Sequence, residues 1–215
     1  MLLPASPGII WCSSSPEKDL RKGSDLYVYR ADGGGDGGPS LHLLPRPHGD
    51  SMFVDSHQVG LLRYRNDHGA AGVGGNKKDD EDVVAAIFNV CHPAVASHLP
   101  EEAFEPGPER FALYVYDSKL HAWSIKLVSL DQHQQLQQPE GCFLHFNSKV
   151  IPIGGEAGTM GFVDLWRGIL LWDALTGNPK LHYATLPPPI LPGWEGRGDA
   201  RLSRDIAVSR YLRSR

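Results

Sequence analysis

The sequence predicts an all-β fold of irregular antiparallel meanders, propeller-like and incomplete, with a twisted sheet or irregular β-sandwich as the alternative. Three observations predict it. Short apolar runs with alternating side chains recur along the chain, and turn-forming residues separate them. The 24 glycines and 17 prolines suit many turns and short strands and argue against a helix bundle. Roughly eight to ten strand candidates can be placed, fewer than the four blades of four strands in a small closed propeller. A partial toroid or a shortened chain is therefore expected.

The first candidates are residues 25–32 and 41–45, joined by the glycine loop 33–38. Residues 59–63 and 83–90 follow as strands on either side of a low-complexity stretch, 69–82, that ends in an acidic run. Residues 111–117 and 120–127 repeat the order of the first pair: an aromatic-apolar strand ends at an aspartate, turns, and pairs with a second strand. A glutamine-rich connector, 132–138, leads toward the most informative segment, 161–189, GFVDLWRGILLWDALTGNPKLHYATLPPP. There Phe162, Asp164 and Trp166 alternate with Val163 and Leu165, so each set shares one face of a strand. Arg167-Gly168 reads as a tight turn, because glycine tolerates the positive φ that hairpins demand. Ile169 to Trp172 is apolar on both faces and needs cover on both sides. Residues 175–179 form a second turn, 181–186 return as a strand, and Pro187 to Pro189 end it, since proline donates nothing to a ladder. Residues 204–208 read as the start of one more strand, an exposed edge near the end of the chain. The domain reading is an irregular N-terminal segment at 1–24, a single β-rich domain at 25–208 and a basic tail at 209–215.

Residues 164–173, DLWRGILLWD, with Leu186-Pro187-Pro188-Pro189 after them, resemble the signature of the Domain of Unknown Function 1618 family, a plant family expanded in grasses. Val59-Gly60-Leu61-Leu62-Arg63 and Val83-Val84-Ala85 resemble further strands of its members, so the likeness spans 25–208. Members carry a small residue or cysteine where Trp172 stands, and are commonly longer. The resemblance implies architecture and lineage. It implies no reaction and no catalytic residue, because none is established for the family.

Composition narrows the function classes. A net charge of −4 gives no general attraction to nucleic acid or to anionic membrane. Cys12, Cys91 and Cys142 are odd in number and far apart, without the paired spacing of a zinc or redox motif. Nothing in the N-terminal residues reads as a signal peptide, and no apolar run approaches the roughly 20 residues that span a bilayer. A soluble intracellular protein is expected. Gly72 to Lys78 has glycines before lysines, but Asn76 intervenes and no Ser/Thr follows, so a phosphate loop is not expected. His42, His48, His57 and His68 are scattered over turns, and Cys91-His92 offers two ligands without a matching pair, so no metal site is expected. His145 and His182 sit in strand-like runs and read as surface or hydrogen-bonded core histidines. No Gly-x-Ser-x-Gly elbow supports a triad. Leu99-Pro100-Glu101-Glu102 opens like an F-box, but the helical pattern that should follow is missing. Six arginines from Arg197 onward are interspersed with Asp199 and Asp205, so the tail is not a pure basic arm.

The expected function is a non-catalytic protein-interaction module, without cofactor, metal or nucleic-acid partner. The alternatives are a small-ligand binder or enzyme with a central pocket, and a shortened, decaying family duplicate. The binding residues expected are Asp164, Trp166 and Arg167, with a structural role for Asp164 and Arg167 in fixing the hairpin as the competing explanation.

Overall fold

The computed structural model describes residues 8–12, 25–30, 38–47, 58–65, 80–89, 96, 99–104, 110–131, 144–188 and 198–209, of which 8–12, 64–65, 80–82 and 89 as backbone only. The loops 33–37, 69–79 and 132–138, His48, His57, His68, Cys91, His92, Cys142 and residues 210–215 lie outside the described residues.

The fold is all-β, and the described strands form two sheets. Strands β1 (Gly8–Cys12), β2 (Asp25–Arg30) and β3 (Ser40–Leu43) form a small antiparallel sheet in that order. The large sheet holds β4 (Val59–Arg65), β5 (Asp80–Asn89), β6 (Arg110–Asp117), β7 (Ala122–Leu130), β8 (Lys149–Gly154), β9 (Thr159–Asp164), β10 (Gly168–Asp173) and β11 (Lys180–Thr185). Its order, β4-β5-β6-β7-β11-β10-β9-β8, shows two antiparallel meanders placed side by side. They meet in a parallel pairing of two positions, Ser129 with Lys180 and Leu130 with Leu181.

The sheet curls until its two outer strands, β4 and β8, face each other. Among the described residues no ladder joins them, so the barrel keeps a seam. Packing closes it instead. A Cβ on Gly60 in β4 would press into Val150 of β8 and stand 2.9 Å from the Met160 methyl of β9. Only a residue without a side chain lets the two edges come this near. At one end a polar link continues the closure: Asn147 Nδ2 donates to the Ile87 carbonyl of β5 at 2.8 Å. Ile87 lies one residue past the last β4 pairing, Val59 with Ala86, so the amide takes over where the strand stops.

Curling gives every central strand an inside and an outside. Inside the barrel Leu62, Ala85, Ile87, Phe111, Leu113, Val115, Val128, Leu130, Met160, Phe162, Leu170, Trp172 and Leu181 form one apolar core. Outside, the small sheet lays Leu26, Val28 and Leu44 over Val84, Ala86, Phe88, Ala112, Tyr114 and Tyr116. β6 is thus buried on both faces from Phe111 to Tyr116, which its unbroken apolar sequence requires. Burial holds the Tyr114 hydroxyl in its neutral form, with its pKa pushed up to about 12. On the far side, Ile151, Val163 and Leu165 are covered by Ala200 and Ile206 of the C-terminal segment, together with Trp166, Ile169 and Leu186.

Several expectations are corrected. The described residues form eleven strands, including Gly8–Cys12 within the 1–24 stretch and Lys149–Gly154, which the sequence does not announce. Pro152 obscures the second; it is tolerated because β8 is the last strand of its sheet and slips register between Pro152 and Gly154. Residues 204–208 are not a strand. They run as an extended strap held by side chains: Arg204 donates to the Pro187 carbonyl at 2.6 Å, and Lys149 donates to Asp205 and to the Ile206 carbonyl. Residues 101–104, after the F-box-like opening, form a single 3-10 turn.

Candidate functional site

The β9–β10 hairpin is built around one aspartate. β9 ends at Asp164, β10 begins at Gly168, and these two residues pair across the hairpin. The turn is therefore Leu165-Trp166-Arg167, closed by Arg167 N donating to the Asp164 carbonyl at 3.0 Å. Gly168 does not have a positive φ. It is glycine for space, since a Cβ there would meet the Ala184 carbonyl and the Tyr183 ring at 2.5 Å. Because the chain turns after Asp164, Phe162 and Trp166 do not share a face as their spacing predicts. Phe162 enters the barrel core, and Trp166 packs on the outside with Ile169, Leu186 and Ile206.

The Asp164 carboxylate is 1% exposed. It accepts hydrogen bonds from Trp166 N at 2.9 Å, Phe146 N at 3.1 Å and Arg167 Nη1 at 3.0 Å. A desolvated carboxylate needs such donors, and two of these belong to the backbone. Through them Asp164 shapes its own turn and ties the 144–148 segment to it. That segment carries the next groups. His145 is buried, with Nε2 3.0 Å from Asn147 Oδ1, while the Asn147 amide donates across the seam to Ile87. Burial lowers the His145 pKa to about 4, against the opposing pull of the Asp164 charge and of hydrogen bonds to Asn147 and the Phe162 backbone. His145 is neutral at physiological pH. Burial and the Asp164 charge both raise the Tyr183 pKa, with Arg167 acting in the other direction.

Arg167 is anchored at one end and open at the other. One guanidinium nitrogen is held by Asp164, the side chain is 44% exposed, and its carbon lies 5.6 Å from the centre of the Phe146 ring. Phe146 is itself 57% exposed, and its neighbour Leu144 is also exposed. The rim of the barrel thus presents an aromatic ring beneath a cation whose orientation is fixed from below.

Residues 162–214 match the family model described as Protein of unknown function (DUF1618). The family that the chain resembles is DUF1618. No curated protein and no solved structure matches the chain. The DUF1618 match takes in the end of β9, β10, β11 and the strap, the parts that build the outer cluster around Val163 and Leu165. β4 and β5, whose sequences also resemble the family, lie outside it. Trp172 fills the barrel interior at 1% exposure, with the Lys126 ammonium 5.8 Å from its ring centre.

Of the three residues singled out from the sequence, the structure joins Asp164 and Arg167 and turns Trp166 away from them into the outer cluster. Sequence reasoning missed Phe146 and Asn147. Their signal was weak: a polar Asn147-Ser148 pair before a strand that Pro152 and Gly154-Gly155 disguise. His182 is exposed on β11, and among the described residues no three metal-ligating side chains come together. Among those residues, too, no helix is long and apolar enough to cross a membrane.

Proposed function

We propose that this chain is a non-catalytic, intracellular protein-interaction module of a plant family, and that its partner seats on the rim formed by Phe146 and Arg167. One observation carries the reading: an exposed aromatic ring lies under a guanidinium that the buried Asp164 already holds in place. Aromatic and arginine side chains are the favoured anchors of protein interfaces. Anchors fixed before binding lose less conformational entropy on association, so they contribute more net affinity. Asp164 acts beneath this surface as a support, while Trp166 belongs to the packing that covers β9 and β10.

The filled interior favours a surface function over a central pocket. Trp172, Phe111, Phe162 and Leu113 occupy the barrel lumen, and a ligand there would have to displace them. The test is affinity purification followed by direct titration of the recovered partner, using Phe146→Ser and Arg167→Gln. These leave the Asp164 carboxylate and the core in place. Loss of the partner in both variants is expected, with the melting temperature unchanged in Phe146→Ser and cooperative unfolding kept in Arg167→Gln. Full retention by both would sink this surface, and non-cooperative unfolding of the wild type would favour the decaying duplicate.

A further inference from the structure

Among the described residues the small sheet ends at β3, and the hydrogen-bonding pattern of this edge can be deduced. Leu44 N donates to the Leu26 carbonyl at 2.8 Å, and the β2–β3 register pairs Tyr27 with Leu43, Val28 with His42 and Tyr29 with Leu41. In an antiparallel ladder the residues that bond the neighbour alternate with those whose N–H and C=O point away. His42 therefore bonds toward β2, in phase with Leu44. Leu41 and Leu43 turn both backbone groups outward, and among the described residues no strand lies beyond them. Their side chains are 52% and 58% exposed, on the face they share with Tyr29 and Tyr27.

Two prolines bound this edge. Pro39 and Pro45 stand at the next outward-facing positions and have no N–H to offer. The usable edge thus consists of two donors and two acceptors, on Leu41 and Leu43, spaced symmetrically about His42. Such an edge is complementary to itself. With two copies antiparallel and His42 opposite His42, Leu41 of each faces Leu43 of the other, and all four N–H groups find carbonyls. Sliding either way by one ladder step sets a leucine against Pro39 or Pro45 and leaves carbonyls without donors. The edge is also held rigid. Arg46 pairs with Asp25 at 2.9 Å, and Trp123 of β7 donates its indole N–H to the Pro45 carbonyl.

We propose that β3 pairs with β3 of a second copy of this chain, about a two-fold axis through His42, joining the two three-stranded sheets into one of six strands. The contact is isologous, as closed dimers require. It extends the Tyr27–Tyr29–Leu41–Leu43 face across the axis into one continuous apolar strip. This surface shares no residue with the rim of Phe146 and Arg167.

The register makes a direct test possible. His42 meets its symmetry mate at a non-hydrogen-bonded position, where Cα atoms stand about 4.5 Å apart, inside the roughly 4.4–6.8 Å range of disulfides. His42→Cys is expected to give a reducible covalent dimer under mild oxidation. Ser40→Cys, which would face Leu44 of the other copy, is expected to give none beyond the background of the native cysteines. In sedimentation velocity the wild type should dimerise with rising concentration. Leu41→Pro, which removes an outward N–H but no bond to β2, and Leu43→Lys should both stay monomeric with the melting temperature of the wild type. A wild type that remains monomeric at high concentration overturns the proposal, including the case in which β3 takes a foreign peptide instead. A dimer that survives both edge variants, or that His42→Cys fails to trap, overturns it equally.

Discussion

Two ion pairs pin neighbouring parts of the same barrel wall and differ in almost every other respect. Arg167–Asp164 closes the β9–β10 turn with a carboxylate 1% exposed; Lys149–Asp205 fastens the strap with a carboxylate 72% exposed. Both are close contacts, at 3.0 and 2.8 Å. What separates them is the solvent and the backbone. Asp164 has lost its water and replaced it with two backbone N–H donors as well as the guanidinium. Asp205 keeps its water; the Lys149 hydrogen bond and the Ile206 N–H merely hold its carboxyl below the usual range. The charge at Asp164 thus serves the fold chiefly as an acceptor of backbone donors. A surface pair of the Asp205 kind contributes little, because water and salt compete with it.

The largest break in this comparison is Asp164→Ala. It removes one partner of a buried pair and strands two backbone N–H groups, and should cost about 3–5 kcal/mol in urea unfolding. Next is pH. The His145 pKa falls from 6.5 in the unfolded chain to about 4 in the fold. The unfolded chain therefore takes up the proton first as pH drops. Stability should be level above about pH 7 and fall by about 3 kcal/mol between pH 6.5 and 4, through this group alone. His145→Gln, which keeps a donor for Asn147, should flatten that part of the curve. Gly60→Val tests the seam: forcing a side chain against Val150 and Met160 should cost about 1–3 kcal/mol. The smallest effect belongs to Asp205→Ala, for which thermal melts should match the wild type within error, while Asp164→Ala melts well below it.

Local chemistry made much of the fold legible. β2, β6, β10 and β11 follow from alternation and from runs apolar on both faces, and the Gly177 turn shows the positive φ that its sequence implies. Closure was not legible, because it rests on pairs distant in sequence. Nothing near Ser129 announces Lys180, and nothing near Gly60 announces Val150. The site was half legible for the same reason. Asp164 and Arg167 are three residues apart and their pairing could be read from one hairpin. Phe146 reaches them from eighteen residues upstream, through its backbone N–H and its ring, in a segment with no period of its own. Trp166 misled because strand alternation was carried past the point where the strand stops.

The most direct measurement is a double-mutant cycle by urea unfolding, with Asp164→Asn, Arg167→Gln and the pair together. If the carboxylate serves the backbone first, Asp164→Asn should cost at least about 1 kcal/mol more than Arg167→Gln, with a coupling well below the Asp164 loss. Equal single losses, with a coupling as large as either, would contradict this and make the ion pair itself the stabilising element.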